Sequence, residues 1–208
     1  VAEAEGMIEP LTWTVLDASL AAHARWRNAG LTLPMSINLS HRFLEDLAAA
    51  DHIFSRCNAA LVDTRMITFE ITETSARGDF VPVLSNLTRL RLRNFGLAID
   101  DYGTGYASLD QLSQIPFTEL KVDRRFVAGA ASDPGARTIL ESSLDLGRRL
   151  GLVTVAQGVE SEWELAALRK LPCDVVQGHY VSRALTEAEL TEWMKGRTVA
   201  PLAVHASA

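Results

Sequence analysis

The stretch Leu97-Ala98-Ile99-Asp100-Asp101-Tyr102-Gly103-Thr104-Gly105-Tyr106 decides how this chain is read. Leu97-Ala98-Ile99 is a short apolar run of the kind that forms a buried strand. Two adjacent carboxylates then stand at its end, where they repel each other and are costly to desolvate without a counter-charge. Divalent cations supply that charge, and hard oxygen ligands suit Mg²⁺ or Mn²⁺. Gly103 and Gly105 let the backbone turn tightly and move after the strand. Taken alone, the Asp-Asp pair fits a solvated turn as well as a cation site. A nucleotide-loop reading of the glycines is weaker. Ser108 replaces the third glycine, and the acidic pair opposes a bare pyrophosphate.

Further strands are expected at Met35–Leu39, Ile67–Ile71, Glu119–Val122, Val153–Ala156 and Val175–Val176, nearly continuous in apolar residues as parallel strands buried on both faces would be. Amphipathic helices alternate with them, the clearest over Gly135–Leu150 with Ile139, Ser143, Leu146 and Leu150 at helical spacing and Gly151 following as its stop. An Ala-rich helix covers about Pro10–Asn28 ahead of Gly30, and Ser161-Glu162-Trp163-Glu164 and Thr186-Glu187-Ala188-Glu189 read as capping boxes. The fold class is therefore α/β, either a doubly wound sheet or a TIM-type (βα) barrel. The chemically suggestive side chains choose between them. Asn38, Glu70 with Glu73, Asp100 with Asp101, Lys121 with Asp123, Gln157 with Glu160, and Gln177 sit at the ends of six different strands. A doubly wound sheet gathers its ligand at one switch point, whereas a barrel gathers side chains from all its strands at one mouth. The barrel is the favoured reading, over residues 1–196, with residues 197–208 a flexible tail.

Each of these side chains has a plainer alternative. In Phe69-Glu70-Ile71-Thr72-Glu73, Glu70 and Thr72 share one face, and Glu70 fits a buried salt bridge or a metal ligand. Asn38 offers a neutral oxygen ligand, or serves as a turn residue before a helix begun at Ser40. Lys121 could form a Schiff base, orient water, stabilise phosphate charge beside metals, or simply pair with a carboxylate. Gln157 is neutral and cannot act as a general base. Glu160 is a catalytic candidate or a loop support, and Gln177 a ligand-holding amide or a loop hydrogen bond.

Composition excludes several classes. The chain has 208 residues, 48% hydrophobic and 22% charged, an ordinary globular balance rather than a disordered one. Twenty basic against twenty-six acidic residues give a formal charge of −6, which argues against a nucleic acid polymer as partner. Cys57 and Cys173 are too few for a disulfide framework and read as reduced thiols of a cytoplasmic domain. No His-Glu-x-x-His and no Gly-x-Ser-x-Gly occurs, so zinc-protease and serine-hydrolase chemistry have no support. Trp13, Trp26, Trp163 and Trp193 fall on helices as packing residues.

Taken in order, Glu5-Gly6-Met7-Ile8, Ile37-Asn38-Leu39-Ser40, Phe69 to Glu73, Asp100 to Ser108, Leu120-Lys121-Val122-Asp123, Ala156 to Glu160 and Gln177-Gly178-His179-Tyr180 resemble the EAL domain family, the bacterial cyclic-di-GMP phosphodiesterases. The resemblance implies a modified (βα)₈ barrel and hydrolysis of cyclic-di-GMP to pGpG with two Mg²⁺ or Mn²⁺ ions. It implies metal ligation by Asn38, Glu70, Asp100 and Asp101, with Lys121 and Asp123 organising water and metal shell. Glu73 would brace the Gly103–Ser108 loop, which in the family also lies at a homodimer surface, and Gln177 would help hold the ligand. GGDEF, receiver or sensory modules are the expected neighbours. Two departures follow. The family's Glu-Ala-Leu strand is expected upstream of Met7, leaving the barrel incomplete at the N-terminus of this chain. The family also has Glu where this chain has Gln157, which implies impaired loading of the second ion and impaired activation of water. The expectation is a ligand-binding or interaction module weak in hydrolysis. The alternatives are an active phosphodiesterase, with Glu160 or a metal-bound hydroxide compensating, and a Lys121 Schiff-base lyase.

Overall fold

A computed structural model describes residues 2–3, 5–72, 80–105, 109–195 and 197. Its strands are β1 (Met35–Asn38), β2 (Ile67–Thr72), β3 (Gly96–Tyr102), β4 (Glu119–Val122), β5 (Val153–Gln157) and β6 (Val175–Gln177). They form a single sheet in chain order, and every neighbouring pair is parallel. A doubly wound sheet reverses its order at a switch point. This one never reverses, and it curls into a half-barrel. Glu73, Tyr106–Ser108, Gly196 and all of 197–208 except Arg197 lie outside the described residues.

Alternation along each strand separates two environments. Ile37, Phe69, Ile71, Leu97, Ile99, Leu120, Val122 and Ala156 are buried on the outer face. Helices cover that face, and the apolar side chains form two adjoining clusters beneath them. The inner face carries Ser36, Asn38, Thr68, Glu70, Asp100, Glu119, Lys121, Gln157 and Gln177. The expectation of burial on both faces holds for the central strands, where inward Glu70, Ala98, Asp100, Lys121 and Val155 are buried. The expectation of apolar residues on both faces is corrected, because the inner face is largely polar, and it opens at the edge strands, where Ser36, Asn38, Val175 and Gln177 are exposed.

The helices of the outer layer are α1 (Ile8–Asn28), α2 (Ala49–Ala59), α3 (Phe80–Leu92), α4 (Leu109–Gln114), α5 (Arg124–Gly129), α6 (Pro134–Arg149), α7 (Glu162–Leu168) and α8 (Glu187–Met194). Both expected capping boxes are present, with Ser161 and Glu164 opening α7 and Thr186 and Glu189 opening α8. Helix α6 buries a face offset from the expected Ile139, Ser143, Leu146 and Leu150 stripe, sharing only Ser143 with it. Ala136, Leu140, Ser143, Leu144 and Gly147 are buried, while Ile139 and Leu150 are largely exposed. Gly147 is what lets α6 approach the sheet, because a Cβ there would stand 2.5 Å from Thr154 Cγ2. Arg25 of α1 donates to both carboxylate oxygens of Glu187 at 2.8 and 3.0 Å, so the helical layer returns α8 to α1.

Candidate functional site

Parallel strands in register bring their C-terminal ends to one rim. Asn38 pairs in register with Glu70, Thr72 with Asp100, Val122 with Ala156, and Gln157 with Gln177. Residues spread over 140 positions of sequence thereby share one edge of the inner face.

At the centre is a buried ionic cluster. Lys121 Nζ donates to Glu70 Oε1 at 2.5 Å and stands 3.7 Å from Asp100 Oδ1. The Lys121 side chain is 5% exposed, that of Glu70 8% and that of Asp100 12%, so the attraction acts with little solvent screening. Gln157 Nε2 donates to the same Asp100 Oδ1 at 2.8 Å. One layer deeper, Thr68 Oγ1 donates to Glu119 Oε1 at 3.0 Å. Burial raises the Glu119 carboxyl above its ordinary range, against the pull of the Thr68 hydroxyl and Lys121.

Asp100 and Asp101 are consecutive and would point to opposite faces of a regular strand. Strand β3 shifts its pairing with β4 between Ile99 and Tyr102, and Asp101 takes φ +54° in the left-handed region. That irregularity re-aims the second carboxylate towards the rim. Burial raises the Asp101 carboxyl above its usual range, reinforced by the charges of Asp100 and Asp123 and by a hydrogen bond with the Asp123 side chain. Asp123 also caps α5, accepting from the Arg125 backbone N–H at 2.8 Å and from Arg125 Nε at 3.0 Å.

Glu70 with Lys121 and Asp100 with Gln157 thus form two hydrogen-bonded pairs joined by the Lys121–Asp100 ion pair, with Asp101 and Asp123 beside them. Asn38 and Gln177 lie on the two edge strands, exposed. Glu160 stands apart. It is exposed, its backbone N–H donates to Glu164 Oε2 at 2.7 Å, and among the described residues its side chain makes no hydrogen bond to the cluster. Glu73 lies outside the described residues. Sequence reasoning passed over Glu119 and Thr68. The available signal was the Glu119-x-Lys121 spacing, which puts both side chains on one strand face.

The EAL domain model matches residues 1–184. The chain belongs to the EAL domain family. Among curated relatives, it is 31% identical over 196 residues to the cyclic di-GMP phosphodiesterase RocR of Pseudomonas aeruginosa, covering 94% of this chain and 50% of that protein. It is 32% identical over 205 residues to the oxygen sensor protein DosP of Escherichia coli, covering 98% of this chain and 25% of that protein. Among solved structures, the PaMucR phosphodiesterase in complex with c-di-GMP superposes with a TM-score of 0.85 at 32% identity, over 91% of this chain and 77% of that one. This EAL domain therefore spans a quarter to a half of the length of the curated relatives just named. Among its described residues no helix is long and apolar enough to cross a membrane.

The donor set bears on the metal ions expected of an EAL domain. Asn38, Glu70, Asp100 and Asp101 carry hard oxygens at neighbouring strand ends, the donor type that Mg²⁺ and Mn²⁺ take. A second ion fits less well, because Gln157 is neutral and turns its N–H towards Asp100 rather than an oxygen. Among the described residues no group of three or more His, Cys, Asp or Glu side chains stands in a metal-holding arrangement.

Proposed function

We propose that this EAL domain binds cyclic-di-GMP at the C-terminal rim of its half-barrel and is weak or inactive as a phosphodiesterase, acting through ligand binding or protein interaction. The single observation that carries this reading is the Gln157–Asp100 hydrogen bond at 2.8 Å. A carboxylate at position 157 would hold an ion or accept a proton from water. The amide cannot accept that proton and offers an ion only a neutral oxygen, and its N–H occupies an acceptor site on a proposed metal ligand. In this reading Asn38, Glu70, Asp100 and Asp101 hold one divalent ion, which supplies charge neutralisation at the phosphodiester. Lys121 and Asp123 order the polar groups around it, Gln177 and Asp101 face the ligand, Glu73 is assigned to ligand binding by the family pattern alone, and Glu160 supports the loop after β5. Loss of a general base typically lowers a rate by ~10²–10⁴.

A second reading, an active phosphodiesterase, is favoured by the retention of Glu70, Asp100 and Lys121 in one buried cluster. One assay separates the two. Cyclic-di-GMP is incubated with the protein and Mg²⁺ or Mn²⁺, and pGpG is followed by chromatography. Binding with little or no pGpG is the expected result, and rapid multiple turnover would establish the second reading instead. The Schiff-base lyase has less support. An ammonium held 2.5 Å from Glu70 has no lone pair to attack a carbonyl.

The curated relatives run well beyond this chain, and one is named a bifunctional diguanylate cyclase/cyclic di-GMP phosphodiesterase. A GGDEF, receiver or sensory module is accordingly proposed beside this domain, and a homodimer through the Gly103–Ser108 region. Gly103 takes φ +95°, and its Cβ position lies 2.7 Å from Phe126 of the same chain. The close approach fixes the start of that loop against α5.

A further inference from the structure

The chain has three lysines, Lys121, Lys170 and Lys195, and only Lys121 is buried. Its ammonium lies among carboxylates of neighbouring strands, 2.5 Å from Glu70 and 3.7 Å from Asp100, with Glu119 one layer below on the same strand face. A divalent ion bound by Glu70 and Asp100 would sit about 2.0–2.6 Å from their oxygens. Lys121 hydrogen-bonds Glu70 Oε1 and stands as an ion pair beside Asp100 Oδ1, and at that range two cations in a poorly screened site repel strongly. Removing the ammonium without replacement is equally unfavourable, because it leaves two buried carboxylates uncompensated.

We propose that Lys121 is the resident cation of this site. Its ammonium offsets one of the two negative charges of Glu70 and Asp100 when no divalent ion is bound, and an entering ion must displace it from between them. The inference rests on the functional reading above and deepens it. Once displaced, the ammonium is free to face an anionic phosphodiester. Ion and cyclic dinucleotide therefore strengthen each other's binding, through a side chain that each of them draws out of the carboxylate pair. Gln157 reinforces this arrangement, because its N–H also donates to Asp100 Oδ1.

The test uses Mn²⁺, whose free hexaaquo form is read by electron paramagnetic resonance. The wild-type chain and Lys121→Met are titrated with and without cyclic-di-GMP. Wild type is expected to hold Mn²⁺ at least about tenfold more weakly than Lys121→Met in the absence of ligand, and to gain affinity when ligand is added. Equal or tighter binding by wild type overturns the proposal. A second measurement on wild type alone covers the case in which the variant does not fold. The ammonium resonance of the single buried lysine is followed by ¹⁵N NMR during Mg²⁺ addition. Movement of that resonance in step with ion uptake is expected, and uptake to saturation with the resonance unmoved contradicts displacement. Absence of cyclic-di-GMP binding with and without divalent ion would remove the functional reading. The contest between ammonium and ion would still be decided by the Mn²⁺ and NMR data.

Discussion

His23 lies on the buried face of α1, 5% exposed, and neither ring nitrogen has a hydrogen-bond partner among the described residues. Burial lowers its pKa below the ordinary 6.5, Arg27 lowers it further, and Asp63 opposes both. The folded chain therefore binds this proton less readily than the unfolded chain. Stability from a neutral His23 is complete above about pH 6.5 and is lost as pH falls from there towards the depressed folded value. The loss for one proton is at most about 1.4 kcal/mol per pH unit. Urea unfolding at a series of pH values should show this slope in wild type, and His23→Leu should flatten it. An unchanged slope in the variant would assign the acid sensitivity to other groups.

At the scale of elements, α6 and β5 show where pattern reading succeeds and fails. The helix itself was legible from its apolar periodicity and its glycine stop, and Pro134–Arg149 differs from the expected span by one residue at each end. The expected stripe misplaces its buried face, although Ala136, Leu140 and Leu144 recur at helical spacing on it. What the apolar pattern does not register is the smallness of Gly147, on which the contact with the sheet depends. Thr154 cannot yield easily. Its hydroxyl donates to Asp174 Oδ2 at 2.8 Å and lies 3.1 Å from Pro172 O, and its backbone N–H donates to Asp174 as well. Gly147→Ala should therefore destabilise the chain by about 1–3 kcal/mol through overpacking, despite the ~1 kcal/mol by which alanine exceeds glycine in helix propensity. Adding Thr154→Ser, which keeps the hydroxyl and removes the methyl, should restore most of that loss in urea unfolding. A double variant no more stable than Gly147→Ala would show that the methyl is not the obstacle.

Across the whole molecule, strand order and the common rim could be read from the sequence because polar residues recur at the ends of apolar runs. The polar inner face could not be read as easily. Ile67-Thr68-Phe69-Glu70-Ile71 displays its alternation, but Leu97-Ala98-Ile99 conceals it. Ala98 is apolar, small and inward, next to Glu70 in register. The left-handed turn at Asp101 leaves no mark in composition. The contact between Gln157 and Asp100 joins residues 57 positions apart and exists only once the sheet has curled.

The membership of the chain in the EAL family and its half-barrel architecture place the cluster, while the chemistry turns on one side chain. The most direct test compares pGpG formation by wild type and Gln157→Glu in the full-length protein, with saturating Mn²⁺ and cyclic-di-GMP. A rise of about 10² or more in the variant is predicted, because a carboxylate restores both an ion ligand and a proton acceptor. Equal rates in the two proteins, with cyclic-di-GMP bound by both, would contradict the account.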